Sequence, residues 1–89
     1  MQVQIKTRDL WQSAYILAKG GRLIELRPAA APGGRFVTFI LDGENIFKLR
    51  SEFTSGQANC NVSQLRASML HLKSELSRIL NEVDKDSQY

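Results

Sequence analysis

Residues 36–41, Phe36-Val-Thr-Phe-Ile-Leu41, decide the fold class. The run is rich in β-branched and aromatic residues, which suit a pleated strand. Phe36, Thr38 and Ile40 line one face, and Val37, Phe39 and Leu41 line the other. Two apolar faces imply a central strand or one covered on both sides. Upstream, residues 22–27 (RLIELR) read as a short partner strand carrying Ile24 and Leu26. Pro28-Ala-Ala-Ala-Pro-Gly-Gly34 lies between the two. It reads as a breaker-rich loop, too long for a two-residue hairpin.

Helices flank this pair. Thr7 is the expected N-cap of a first helix over residues 8–19, with Asp9 in its first turn. Leu10, Trp11, Ala14, Tyr15, Leu17 and Ala18 follow at helical spacing until Gly20-Gly21 stops the helix. With Ile16 also apolar, most of its circumference needs cover, and Trp11 is expected to be an anchor against the 36–41 strand. Asp42 is the expected cap of a second helix over 43–54, with Ile46, Leu49 and Phe53 buried and Ser55-Gly56 ending it. Residues 57–61 are assigned as a third strand, with Ala58 and Cys60 inward. Asn61 then caps a last helix over 62–83. Val62, Leu65, Met69, Leu72, Leu76, Ile79 and Val83 step by three and four along it, and Leu80 widens the stripe. Asp84 to Tyr89 reads as a frayed tail, and residues 1–6 as a short edge strand or an ordered arm. The expected architecture is an α+β domain in the order helix, strand, strand, helix, strand, helix. Its small, mainly antiparallel sheet is covered by helices, and its last helix is long.

The chain's 89 residues suffice for one core. Hydrophobic residues are 43% and charged residues 24%, which argues for a folded domain and against a disordered one. The net charge is +3: residues 1–50 hold eight basic and four acidic side chains, and residues 51–89 hold four and five. That is too sparse for the dense basic stripe of a typical nucleic-acid footprint. The lone Cys60 has no partner for an internal disulfide, which favours a reducing cytoplasm. No apolar run is long enough for a signal peptide or a membrane span.

Thr7, Asp9, Leu10, Ala14, Leu17, Ala18 and Gly20 fit a Thr-x-Asp-Leu-x-x-x-Ala-x-x-Leu-Ala-x-Gly opening. With it go Phe36 and Phe39, the Phe53-Thr-Ser-Gly56 helix end and Leu70-His-Leu-Lys73. Together these segments resemble a family of small bacterial and phage-associated domains of unknown function. The resemblance covers residues 5–80 and implies a fold; no active residues come with it. Trp11, Gln12-Ser13 and the Pro/Ala/Gly loop depart from the family's pattern.

The inventory for chemistry is small. His71 and Cys60 are the sole histidine and cysteine, and neither has a base or ligand set beside it in sequence. His71 with Glu75 suits a surface hydrogen bond, and Cys60 a small buried apolar group. No enzyme activity, metal or cofactor is expected. Trp11 and Tyr15, one turn apart between Arg8 and Lys19, offer either a stacking platform for single-stranded nucleic acid or two core aromatics. The core reading is preferred. Lys19, Arg22, Arg27 and Arg35 form either an anion site or a solvated basic rim. The stripe on the last helix serves either its own sheet or a second chain, and Leu76, Ile79, Leu80 and Val83 are the expected dimer contact. The resulting expectation is a non-enzymatic binding or adaptor module, homodimeric or with another protein partner. The alternative is a weak, sequence-indifferent nucleic-acid binder using the basic rim.

Overall fold

In the computed structural model, which describes the backbone of residues 3–87 and their side chains except at Ala31 and 82–87, the chain begins with a strand. This strand, β1 (Val3–Thr7), stops where Asp9 takes over as a helix cap. The Thr7 hydroxyl accepts from the Asp9 amide at 3.1 Å, and Asp9 Oδ1 accepts from the Gln12 amide at 3.1 Å. Helix α1 (Leu10–Ala18) therefore starts from Asp9 and not from Thr7. It ends at Gly20, whose φ of +100° favours a residue without a Cβ.

Strand β2 (Arg22–Ala31) and strand β3 (Gly34–Gly43) form a long hairpin around Pro32-Gly33. The expected loop is thus mostly strand. Pro28 is tolerated because β2 lies at the sheet edge, where a missing N–H can face outward. The sheet order is β1-β3-β2, antiparallel throughout, so β3 is central as its two apolar faces imply. One extra residue bulges from β2 between Leu23 and Glu25. The third strand is the N-terminal one, and residues 57–61 form no strand. They connect the α2 (Ile46–Thr54) and α3 (Val62–Ser87) helices, with the Asn59 carbonyl accepting from Lys19 Nζ at 3.2 Å. The α+β class stands, in the order β1-α1-β2-β3-α2-α3.

One face of the sheet carries the core. Ile5, Phe39 and Leu41 meet Ala14, Tyr15 and Ile16 of α1, Ile46 and Leu49 of α2, and Met69 and Leu72 of α3. Ile40 points to the opposite face and is still buried, shielded by its central position between Lys6 and Glu25 of the flanking strands. Leu65, Leu76 and Phe53 are half-buried against the core, while Val62 at the head of the expected stripe is exposed. Helix α3 has 26 residues, about 39 Å at the α-helical rise, against a longest molecular dimension of 44 Å. It runs on through 84–87, where a tail is expected, and residues 88 and 89 lie outside the described part.

Two expectations are corrected here. Trp11 is 60% exposed, not a core anchor, whereas Gln12 and Ser13 beside it are buried. Ser13 fits because its hydroxyl donates back to the Asp9 carbonyl at 2.9 Å. Trp11→Ala should therefore cost less than about 1 kcal/mol. Chemical denaturation followed by circular dichroism checks this, since the variant lacks the only tryptophan. Asp42 does not cap α2. It is buried in β3, and the cap position falls to Asn45 without a side-chain hydrogen bond.

Candidate functional site: an apolar cleft with an arginine rim

The long hairpin arm and the distal half of α3 lie side by side, and α1 begins beside them. Leu10, Val37, Phe39, Leu76 and Leu80 line a cleft of about 380 Å³ between these elements. Phe36, Arg8 and Arg35 complete its wall. The Arg8 guanidinium sits over the Phe36 ring, 3.7 Å from its centroid, which fixes a cation at the mouth of an apolar slot. Leu80 also meets the hairpin arm at Pro28, Ala29 and Ala30, where a smaller hollow of about 160 Å³ opens.

This geometry redistributes the expected dimer contact. Leu76 and Leu80 are half-buried in the cleft. Ile79 is half-buried on the other side of α3, over Leu23, Ile24 and Leu26 of β2. The hairpin extends far enough to back the helix to Leu80, so the stripe does not overrun the sheet at Leu76. The side chain of Val83 lies outside the described part.

The basic rim does not converge. Arg22 makes a two-pronged pair with Asp42, Nε to Oδ1 and Nη2 to Oδ2, both at 3.0 Å. Arg27 Nε is 2.9 Å from Glu25 Oε2. Lys19 and Arg22 border a polar hollow of about 560 Å³ that also holds Glu44, Asn45, Lys48 and Glu52. Arg35 is at the far end of the hairpin: Asp42 and Arg35 are seven positions apart on β3, about 23 Å at strand rise. Arg22 and Arg27 project from the open face of the sheet, and Arg35 from the helix side. Four cations in three settings make a solvated rim and no single anion site among the described residues.

The aromatic pair is split as well. Tyr15 is buried, its ring centroid 6.1 Å from that of Phe53, and its hydroxyl donates to Glu52 Oε1 at 3.0 Å. With Trp11 outside and Tyr15 inside, the two do not form a stacking platform. Burial raises the Tyr15 phenol above its ordinary value, and the hydrogen bond to Glu52 adds to the rise. The folded state thus holds this proton longer than the unfolded chain. The stabilisation is fully present below the unfolded value of about 10 and is lost as pH rises through the folded one. Melting temperatures above that pH should fall more steeply for the wild type than for Tyr15→Phe.

His71 is exposed beside the β2–α3 groove, and Cys60 is half-buried against the core. Glu75 pairs with Arg78 at 2.7 Å, and that hydrogen bond holds its carboxyl below the usual range. Among the described residues no three His, Cys, Asp or Glu side chains come together as a metal-ligand set. No described helix is long and apolar enough to cross a membrane. Arg8 and Phe36 were legible as residues but not as a pair, because they meet only through the sheet. Compared with known proteins, the chain matches no family model, no characterised relative and no solved structure. What the fold and site define is a two-layer α+β domain with an apolar cleft beside its central strand.

Proposed function

We propose that the chain is a small non-enzymatic binding or adaptor module that engages a protein through the cleft between the β2–β3 arm and distal α3. One observation carries this reading: six apolar residues line the cleft, and the Arg8 guanidinium stands over the Phe36 ring beside it. Such a surface suits an apolar partner with negative charge at its margins. The nucleic-acid alternative draws less support, because Arg22 and Arg27 are paired with acids and Arg35 lies on another face. A cytoplasmic setting fits the single cysteine, which is packed against the core.

The test is a titration of methyl-labelled protein. An acidic, apolar-rich peptide should shift the Leu10, Leu76 and Leu80 methyls, and a single-stranded oligonucleotide should leave them unmoved. Salt-sensitive shifts of the Leu23 and Leu26 methyls, beside Arg22 and Arg27 on β2, with the oligonucleotide alone would transfer the function to the basic rim. Sedimentation at tens of micromolar separates the kinds of protein partner. A dimer that Leu80→Glu dissociates assigns the cleft to a second copy, and a monomer assigns it to another protein.

A further inference from the structure

The reading above leaves the partner open. Resting on it, we propose that the occupant of the cleft is a second copy of this chain, each copy laying the distal turns of its α3 into the cleft of the other. The direction of the helices carries the argument. Lys19, just past the end of α1, bonds the Asn59 carbonyl ahead of α3, whereas Leu10 at the start of α1 meets Leu76 and Leu80. Helix α1 therefore runs antiparallel to α3. Its nine residues span about 14 Å against about 39 Å for α3, so it flanks only the first part of the longer helix.

The cleft continues the line of α1. Leu10 closes one end of it, Leu76 and Leu80 form one wall, and Val37 and Phe39 form the floor. Val37, Leu76 and Leu80 are only half-buried, so this place beside α3 is incompletely filled. A helix that extends the line of α1 and packs antiparallel to α3 directs its C-terminal end at Leu10 and Arg8. The occupant thus needs an apolar stripe that runs to its C-terminal turns, and carboxylates on those turns to meet Arg8.

Helix α3 has both. Leu76, Leu80 and Val83 step by four and three toward its end, and its last turns hold Glu82, Asp84 and Asp86 against Lys85 alone. Carboxylates there stand at the negative end of their own helix, where they cost it stability. A cation from outside the helix offsets that cost. Arg8, 3.7 Å over the Phe36 ring, supplies one, and a planar guanidinium suits a carboxylate. Asp9 already caps the amide end of α1, so the match is with Arg8. The same segment is both wall and occupant, and a two-fold axis between Leu80 and Val83 satisfies both copies at once. It brings Leu80 of each chain beside Val83 of the other and carries each acidic end toward the other chain's Arg8. A parallel pairing would set acid against acid.

The test is a charge exchange between two variants of the intact chain. The wild type should sediment as a dimer at tens of micromolar, and dilution should move the Leu10, Leu76 and Leu80 methyls. Arg8→Glu alone, and Asp84→Lys with Asp86→Lys in a second variant, should each weaken the dimer at least about tenfold. An equimolar mixture of the two variants should dimerise again, because each contact then joins opposite charges. A folding defect in either variant cannot produce that rescue. If both variants dimerise like the wild type, or the mixture stays monomeric, the proposal is wrong. A dimer whose dilution leaves the three methyls unmoved is built on another surface and overturns it as well. If the wild type is monomeric while an acidic, apolar-rich peptide shifts the methyls, the second copy is wrong and the binding cleft stands. If it is monomeric and no such peptide moves them, both readings fall.

Discussion

Leu72→Ala should lower the unfolding free energy by about 2–5 kcal/mol, the range for a buried leucine that leaves a cavity. Leu72 is fully buried within the core cluster, where α3 packs against α1 and the sheet. Its neighbours cannot close the gap easily, because the cluster joins three helices and two strands around one small volume. A domain of this length has about 4–13 kcal/mol of stability at typical values per residue. The loss is therefore a large share of the whole. Leu70→Ala removes the same atoms two residues earlier on the same helix, but Leu70 is 57% exposed and should cost less than about 1 kcal/mol. Urea unfolding of the two variants tests the packing directly. Equal shifts in midpoint would mean that α3 does not dock through the face described.

The contrast between Leu70 and Leu72 was legible from the three-four spacing of α3, and so was the α2 stripe of Ile46, Leu49 and Phe53. The central place of β3 followed from apolar side chains on both of its faces. What periodicity could not decide was the orientation of α1. Apolar residues nearly encircle that helix, so no stripe marks the outward side, and Trp11 was assigned inward together with Tyr15 and the other apolar residues at helical spacing. The fold leaves Trp11 outside and buries Ser13, whose short hydroxyl can satisfy itself on the preceding turn. Residues 28–31 failed for another reason. Pro and Ala are poor strand formers, and only pairing with β3 makes that segment extended. Residues 57–61 show the reverse: assigned as a strand, they only connect α2 to α3.

The cleft was the least legible feature. Arg8, Phe36 and Leu80 come from three distant parts of the chain. What brings them together is the register of β3 and the length of the hairpin, and neither is written locally. Asp9 has a second consequence: by capping α1 it ends β1, so that residues 34–38 of β3 have only β2 as a strand neighbour.

Gly21→Ala should destabilise the fold by about 3 kcal/mol, the upper end of the usual overpacking range. Gly21 lies where the chain leaves α1 for β2, and its amide donates to the Ile16 carbonyl at 2.9 Å. A Cβ built there would stand 2.5 Å from Ile16 Cγ2, 2.9 Å from the Ile16 carbonyl oxygen and 3.2 Å from that of Asp42. Two of those neighbours are backbone, and the Ile16 side chain is fully buried, so none can swing aside. Relief would have to part the start of β2 from the end of β3, where Arg22 pairs with the buried Asp42. Two other glycines separate crowding from a general glycine effect. Gly20 has open space but a φ of +100°, so alanine there meets strain without a clash and should cost about 1 kcal/mol. Gly33 has open space and no such conformation, and alanine there should be neutral or slightly stabilising. The expected order of melting temperatures is Gly33→Ala highest, then Gly20→Ala, then Gly21→Ala. A Gly21→Ala protein as stable as the Gly33→Ala one would show that α1, β2 and β3 do not meet as closely as described.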